Sequence, residues 1–279
     1  MFKKLSLKNK IKKYKKSLIP LQTIFNYNHI CPVCNKLLEV ENINVICDEL
    51  VNDWSLSYIE TQRFNFREGS LCKYCGSSVR IRNLARAFLD ILNIYLNINL
   101  QSMEDLKNLS KLIDINIAEI NNCATLHKYL INLPKLFYSE YGSKDINIRN
   151  ENLLNLTYKD DCFDIVIMTD VLEHVPDIEK ALSEISRVLK QDGYFLFTVP
   201  FLLNRNTKKR AYLDKNGKVK YIEKPSYHGD YNEKMEDYLV FYEFGVDFIK
   251  ILQKHFDVKI YHFNDFGKET TNVFCCIKR

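Results

Sequence analysis

The stretch Asp161–Pro200 reads DCFDIVIMTDVLEHVPDIEKALSEISRVLKQDGYFLFTVP. Its apolar, β-branched run Asp164–Met168 predicts a buried strand, and a polar loop follows over Thr169–Asp177. Apolar residues then recur at helical spacing, and the last residue of the loop is a suitable N-cap for that helix. Tyr194–Val199 predicts a second buried strand. A strand, a helix and a strand in this order predict a parallel pair joined by a right-handed crossover.

Particular features of this stretch carry a family resemblance. An acid opens the first strand at Asp164, an LEHV loop covers Leu172–Val175, an EISRVLK helix follows, and a DG turn ends it. The segment resembles the fourth strand, fourth helix and fifth strand of class I S-adenosylmethionine (AdoMet)-dependent methyltransferases of type 11. The resemblance implies an α/β, Rossmann-like fold with a seven-stranded sheet and helices on both faces. It also implies AdoMet as the cofactor.

The composition is that of an ordinary soluble globular chain, with 279 residues, 46% hydrophobic and 27% charged. The length suits one large domain and a small one. The net charge is +5, but residues 1–16 hold eight lysines and no acid, which leaves a balance near −3 for the remainder. That balance argues against a basic nucleic-acid platform in the body of the protein.

The basic N-terminal segment, residues 1–28, allows two interpretations. Over residues 1–20, apolar residues from Leu7 to Leu18 recur on one helical face among lysines, so this part could lie on an anionic membrane surface. The alternative is a solvated, lysine-rich tail. No apolar run reaches the roughly 18 residues of a membrane span, and the N-terminus lacks the apolar core of a signal peptide. We therefore expect a cytoplasmic protein, with peripheral contact at the inner membrane face as an open alternative.

Two C-x-x-C pairs predict a structural zinc site in residues 29–78. The ligands would be the thiolates of Cys31, Cys34, Cys72 and Cys75. The alternatives are unliganded buried thiols or a redox pair. The intervening residues 40–71 suggest a small sheet of a zinc-ribbon-like module. This region resembles the zinc-binding segment ahead of some bacterial class I methyltransferases, in which the second knuckle runs into an Arg-rich helix, here CKYCGSSVRIRNLARAF.

A connecting region, residues 79–110, follows the second knuckle and contains a clear helical seam of apolar residues. Arg80, Arg82 and Arg86 lie near its start. They could hold an anionic substrate group or a partner, or they could form a solvated face.

The main domain is predicted to be residues 111–279, with its first strand at Lys111–Ala118. Nucleotide-binding α/β folds carry glycines in the loop after this strand, because the backbone must approach the ligand closely. Here the loop reads AEINNCATLHKYL and has no glycine. By position, Ala118 and Glu119 are predicted to replace the turn glycines and contact the cofactor.

Further cofactor residues follow from the resemblance and from strand order. Glu140 ends the second strand, where a carboxylate can accept hydrogen bonds from both ribose hydroxyls. Asn152 and Leu153 occupy the place at which the family contacts the adenine. The carboxyl end of the fourth strand adds the last three candidates, which are Thr169, Asp170 and Val171.

A long insertion, residues 201–242, follows the fifth strand and is predicted to overhang the cofactor crevice. It includes a hairpin turn at Asp214–Gly217 and the sequence YHGD. His228 is the first candidate for a general base and Asp230 the second, the alternative being that they pin the insertion to the body. His174 in the LEHV loop is assigned to a structural or cofactor-adjacent role.

These observations predict an AdoMet-dependent methyltransferase with a structural zinc module, acting on an oxygen or nitrogen nucleophile. The acceptor could be a small molecule, a glycan or a lipid-linked compound. The alternative is a non-catalytic, zinc-stabilised binding or scaffold protein on a degenerate methyltransferase fold, favoured by the glycine-free loop. A third option is an RNA or protein methyltransferase that docks through the zinc module.

Overall fold

The structure, a computed structural model, describes residues 23–26, 29–109, 113–228, 238–265 and 268–279. The predicted membrane-binding stretch, residues 1–20, and the candidate base Asp230 lie outside these residues. Within them, no helix is both long enough and apolar enough to cross a membrane.

The described strands are β1 Thr23–Asn26, β2 Val40–Asn42, β3 Ser70–Cys72, β4 Ile117–Ile120, β5 Leu136–Glu140, β6 Arg149–Asn150, β7 Phe163–Thr169, β8 Leu189–Thr198, β9 Phe201–Leu202, β10 Lys208–Lys209, β11 Ala211–Leu213, β12 Val219–Tyr221, β13 Tyr242–Gly245, β14 Phe256–Asp265 and β15 Lys268–Lys278. The described α-helices are α1 Asp48–Asp53, α2 Tyr58–Gly69, α3 Val79–Leu96, α4 Leu106–Leu109, α5 His127–Leu130, α6 Ile178–Val188 and α7 Phe248–Leu252.

The central sheet has the strand order β1-β14-β15-β8-β7-β4-β5-β6. All neighbours pair in parallel except β15, which is antiparallel to both β14 and β8. Without β1, this is the predicted seven-stranded sheet with an antiparallel final hairpin. The eighth strand, β1, pairs with the edge strand β14 and was not predicted, because its four residues lie in the segment assigned to the basic N-terminus.

Strand β7 explains why helices cover both faces of the sheet. All of its residues are buried, and successive side chains point to opposite faces. Val166 and Met168 pack into one core with α6 and α7, whereas Ile165 and Ile167 pack into a second core with α3. Helix α6 begins where predicted, since the Asp177 side chain accepts a hydrogen bond from the Lys180 amide at 3.1 Å.

Several strand boundaries differ from the prediction. The first main-domain strand is Ile117–Ile120 rather than Lys111–Ala118, and the strand after α6 begins at Leu189 rather than Tyr194. The insertion does contain the predicted hairpin, in which β11 and β12 pair antiparallel around Gly217, whose φ is +74°.

The segment between the two cysteine pairs contains the expected small sheet, but the sheet is confined to its two ends. Only β2 and β3 pair there, and helices α1 and α2 fill the space between them. A capping box starts α2: the Ser57 hydroxyl accepts from the Glu60 amide, and the Glu60 carboxylate accepts from the Ser57 amide at 2.8 Å.

Candidate active site and cysteine cluster

The four predicted zinc ligands meet at one point. The Sγ atoms of Cys31 and Cys75 lie 3.8 Å apart, and those of Cys34 and Cys72 lie 3.9 Å apart. All four sulfurs lie within 4.8 Å of one another. Four thiolates at about 2.3 Å from a tetrahedral zinc would have sulfurs about 3.8 Å apart. The cluster therefore has dimensions that fit a zinc ion.

Both cysteine knuckles have the same backbone shape. The residue after the second cysteine is left-handed in each, with φ of +58° at Asn35 and +72° at Gly76. Asparagine and glycine are the residues that adopt this conformation most readily. The buried guanidinium of Arg82 holds the second knuckle by donating to the carbonyls of Ser70 at 3.0 Å and Ser77 at 2.6 Å. Arg82 is thus buried rather than part of a solvated face.

The turn after β4 corrects the placement of Ala118 and Glu119. Both residues lie inside the strand, fully buried, and not in the turn. The left-handed positions of the turn are Asn121, with φ of +58°, and Ala124, with φ of +51°. The loop therefore has left-handed residues, the conformation for which glycine is preferred, although it contains no glycine.

The buried side chain of Glu119 holds the turn in place. Its carboxylate accepts a hydrogen bond from the Cys123 amide at 2.9 Å, and the other oxygen lies 2.8 Å from Nδ1 of His127. Burial raises the pKa of Glu119, and these two contacts oppose that rise. Glu119 thus holds the turn in shape from inside the protein.

Glu140 lies at the carboxyl end of β5, half-buried, as the prediction requires for a ribose ligand. The Tyr138 hydroxyl donates to its carboxylate, and the Asn122 amide lies 3.4 Å from the same hydroxyl. These contacts orient one oxygen of Glu140 and connect it to the turn after β4. Glu140 and that turn therefore lie on the same edge of the sheet.

The predicted adenine contacts follow β6. Asn152 is exposed, and its side-chain oxygen accepts from the Leu154 amide at 2.8 Å, which orients the side chain. Leu153 is buried in the same hydrophobic core as Phe163 and adds an apolar side chain next to Asn152.

Asp170 lies at the carboxyl end of the central strand β7 in a left-handed conformation, with φ of +50°. Arg67 on α2 donates to both carboxylate oxygens, at 2.7 and 2.6 Å, and the Thr198 hydroxyl donates at 2.8 Å. Arg80 lies 3.3 Å away. Burial alone would raise the pKa of Asp170, but the charges of Arg67 and Arg80 outweigh it and hold the pKa well below its ordinary value.

Arg80 also connects helix α2, which lies between the cysteine pairs, to the central sheet. Its guanidinium pairs with Glu68 at 3.0 Å and donates to the hydroxyl of Thr169. Arg80 therefore pairs with the internal acids Glu68 and Asp170, so it does not belong to a solvated face. Val171, the remaining candidate at this strand end, is buried in the core.

A second cluster joins the LEHV loop to the insertion. Ligand atoms of Glu173, His174 and His228 lie within 4.8 Å of one another. Burial, followed by the nearby Asp170 charge, raises the pKa of Glu173 well above its usual range. Burial and then the neighbouring His174 lower the pKa of His228 to about 3, and burial lowers the pKa of His174. Both imidazoles are therefore neutral at pH 7.

The segment between the cysteine pairs is hydrogen-bonded to the insertion beside this cluster. The Arg205 guanidinium donates to the Trp54 carbonyl at 2.7 Å and to the Glu60 carboxylate at 2.9 Å. The Trp54 indole in turn donates to the Ser226 hydroxyl at 3.1 Å. None of these pairings had a sequence signal, because each partner is far away along the chain.

A cavity of about 120 Å³ opens between α2 and the carboxyl end of β8. Its lining combines aromatic and polar side chains, among them Arg63, Phe64, Phe66, Arg67, Phe201 and His262. Arg67 belongs to both the cavity wall and the Asp170 pair, so the cavity adjoins the end of strand β7.

Residues 121–197 match a methyltransferase-domain family. The match begins in the turn after β4 and ends in β8, so it contains Glu140, Asn152 and Asp170. It does not include the cysteine cluster or the insertion.

Individual relatives match shorter segments. The uncharacterized methyltransferase YcgJ of Bacillus subtilis is 35% identical over 69 residues, 25% of this chain and 27% of that protein. Demethylmenaquinone methyltransferase of Lactobacillus johnsonii is 44% identical over 50 residues, 18% of this chain and 20% of that protein. The chain thus spans about a quarter or less of the length of these relatives.

Among solved structures, an AdoMet-dependent methyltransferase from Mesorhizobium loti aligns with 62% of this chain and 97% of its own, at 12% identity and a TM-score of 0.37.

Proposed function

We propose that the chain is an AdoMet-dependent methyltransferase that acts on an oxygen or nitrogen nucleophile. The observation that carries this proposal is the match of residues 121–197 to a methyltransferase domain, on a segment that spans the carboxyl ends of β4 to β7. Ligands of open α/β sheets bind in the crevice at this edge.

Residues of this chain would hold AdoMet along that edge. Glu140 would accept hydrogen bonds from the ribose hydroxyls, and Asn152 with Leu153 would contact the adenine. The turn at Asn121–Ala124 would face the amino-acid part, with Thr169 and Asp170 on its other side. The bound sulfonium supplies an activated methyl group, so the protein mainly positions the acceptor in line with it.

The acceptor would enter through the cavity beside β8. Its aromatic side chains suit an apolar or ring-shaped part, and its polar lining, which includes His262 and Asn272, suits a polar group. A small molecule and the head of a glycan or lipid-linked compound both satisfy this description. Because its pKa is low, His228 is neutral at pH 7 and can accept a hydrogen bond from the substrate. For the same reason it is a weak base for the proton that the substrate nucleophile loses.

We further propose that Cys31, Cys34, Cys72 and Cys75 bind zinc in a structural role. Four protein ligands leave no open coordination position for substrate. The zinc would fix the second knuckle, from which α3 begins, and thereby support Arg80 and Arg67 at the active site.

Methyl transfer tests the proposal directly. Zinc-loaded protein is incubated with methyl-labelled AdoMet and with water-soluble, glycan and lipid fractions of a cell extract. We expect label in one fraction with wild type and with the exposed control Glu41→Ala, and none with Glu140→Ala. AdoMet binding without transfer to any fraction would favour the non-catalytic binding protein, and the labelled fraction would identify the acceptor class.

A further inference from the structure

Three side chains that can bind a metal ion come together at the LEHV loop. Glu173 and His174 come from the short 3₁₀ helix Leu172–His174, and His228 comes from the insertion. One ligand atom from each side chain lies within 4.8 Å of the others. Neither the methyltransferase-domain match nor the proposed methyl transfer accounts for this grouping.

Glu173 is the least satisfied member. Its side chain is fully buried, and neither carboxylate oxygen has a hydrogen-bond partner among the described residues. A buried carboxyl group without a partner is costly in either protonation state, because its polar oxygens lose their hydration and gain no hydrogen bond. We therefore expect Glu173 to be paired with a cation, or with a hydrogen-bond donor, from a bound ligand.

His174 is oriented like a metal ligand. Its Nδ1 lies 3.1 Å from the Leu239 carbonyl oxygen, and since a carbonyl only accepts, Nδ1 must carry the hydrogen. In the neutral ring the lone pair then lies on Nε2, which is 3.9 Å from a Glu173 oxygen. A backbone carbonyl that fixes the tautomer in this way is the usual outer-shell partner of a metal-binding histidine.

His228 completes the group. Its Nε2 has no hydrogen-bond partner among the residues that the structure describes. The ring is held edge-on against His174 and Trp54, with centroid distances of 4.9 and 5.7 Å. Its position is therefore set by packing, which leaves the ring nitrogen available to a ligand.

We propose that Glu173, His174 and His228 bind a divalent first-row transition-metal ion. One carboxylate and two imidazoles suit iron, manganese, cobalt, nickel or zinc, and three protein ligands leave coordination positions open. A single ion would give a partner to the atoms of both Glu173 and His228 that lack one in the described part of the chain. This nitrogen and oxygen site differs in chemistry from the four-thiolate cluster.

The surrounding charges indicate which kind of ligand would occupy the open coordination positions of the metal ion. Arg67 and Arg80 balance Asp170 and Glu68 in the adjoining network. A divalent ion on Glu173 therefore leaves one net positive charge, which suits an anionic oxygen of the acceptor. This last step rests on the proposed methyl transfer, whereas metal binding itself does not.

The test uses Co²⁺ as a spectroscopic probe on the full chain whose cysteine cluster already holds zinc. We expect one further equivalent of Co²⁺ to bind, with d–d absorption and without thiolate charge-transfer bands. Glu173→Gln and His228→Gln should each weaken this binding by at least the ~10–100-fold that loss of an outer-shell partner costs. His255→Gln is the matched control, since His255 pairs with Glu179 elsewhere on the surface.

Either of two results would overturn the proposal. One is the absence of Co²⁺ uptake beyond the thiolate cluster. The other is equal Co²⁺ affinity in wild type, Glu173→Gln and His228→Gln. Circular dichroism and zinc content show whether each variant is folded, and His174→Gln replaces any variant that is not. Because the readout is metal binding, a failed methyl-transfer assay leaves it unaffected.

Discussion

Arg67 donates two hydrogen bonds to the carboxylate of Asp170, at 2.7 and 2.6 Å, across a separation of 103 residues. Arg67 lies on the helix between the two cysteine pairs, and Asp170 ends the central strand of the sheet. Through this pair, the segment that carries the two cysteine pairs (residues 29–78) forms one side of the proposed active site. Loss of this segment should impair the site as well as the fold.

The Arg67→Ala variant tests this pair. It leaves the buried Asp170 carboxylate with Arg80 as its remaining cation, and loss of one partner of a buried ion pair costs about 3–5 kcal/mol. We expect a free energy of unfolding about 3 kcal/mol lower, measured by urea denaturation. Arg279→Ala, at the exposed Arg279–Asp257 pair, should change stability by less than about 1 kcal/mol. Equal changes in the free energy of unfolding for the two variants would show that the Arg67–Asp170 pair contributes no more than a surface ion pair.

The Ala124→Gly variant tests the glycine-free turn. Ala124 has a φ of +51°, a conformation that costs an ordinary residue about 1–2 kcal/mol. Glycine removes that cost, although it increases the entropy lost on folding by about 0.5–1 kcal/mol. We expect Ala124→Gly to be neutral or to stabilise the protein by up to about 1 kcal/mol in thermal unfolding. Ala87→Gly, inside helix α3, should destabilise it, and the same sign for both variants would count against the turn geometry.

The Asp90→Asn variant should change the dependence of stability on pH. Burial raises the pKa of Asp90 to about 6, so the folded state disfavours its charged form. Unfolded aspartate titrates near pH 4. Stability contributed by protonated Asp90 is thus complete below about pH 4 and is lost as the pH rises to 6. Asp90→Asn should be more stable than wild type at pH 7 and equal to it near pH 4. A difference that does not vary with pH would exclude this explanation.

The Cys72→Ser variant tests the thiolate cluster. We expect it to lose tightly bound zinc and the thiolate charge-transfer absorption that Co²⁺ shows in wild type. Because Arg82 ties α3 to this knuckle through the Ser70 and Ser77 carbonyls, the melting temperature should fall as well. Cys162→Ser, a cysteine outside the cluster, is the control. Unchanged zinc content in Cys72→Ser would show that Cys72 is not a zinc ligand.

The sequence predicted the features that depend on local pattern. The unbroken apolar run of β7 and the Asp177 cap placed the strand and helix at the centre of the fold, and the C-x-x-C spacing brought the four thiols together. The Ser57–Glu60 capping box was also present in the sequence and would have identified helix α2. Without it, the small sheet formed by β2 and β3 was expected, but the two helices between these strands were not.

Other features depend on contacts between residues far apart in sequence. The pairing of Arg67 with Asp170 and the approach of His228 to Glu173 arise only when α2 and the insertion fold onto the sheet edge. The placement of the turn was also wrong, because Ala124 adopts a left-handed conformation that alanine does not predict, and the left-handed tendency of Asn121 was not used. Neither kind of feature leaves a periodic pattern in the chain.

The measurement that most directly tests the central proposal is a calorimetric titration of zinc-loaded protein with AdoMet and with S-adenosylhomocysteine. We expect saturable binding of both by wild type and by Glu41→Ala. Loss of the Glu140 hydrogen bonds, each about 1.5–3 kcal/mol for a charged partner, should weaken binding more than tenfold in Glu140→Ala. No binding to folded, zinc-loaded wild type, or equal affinity in Glu140→Ala, would contradict the proposed cofactor site.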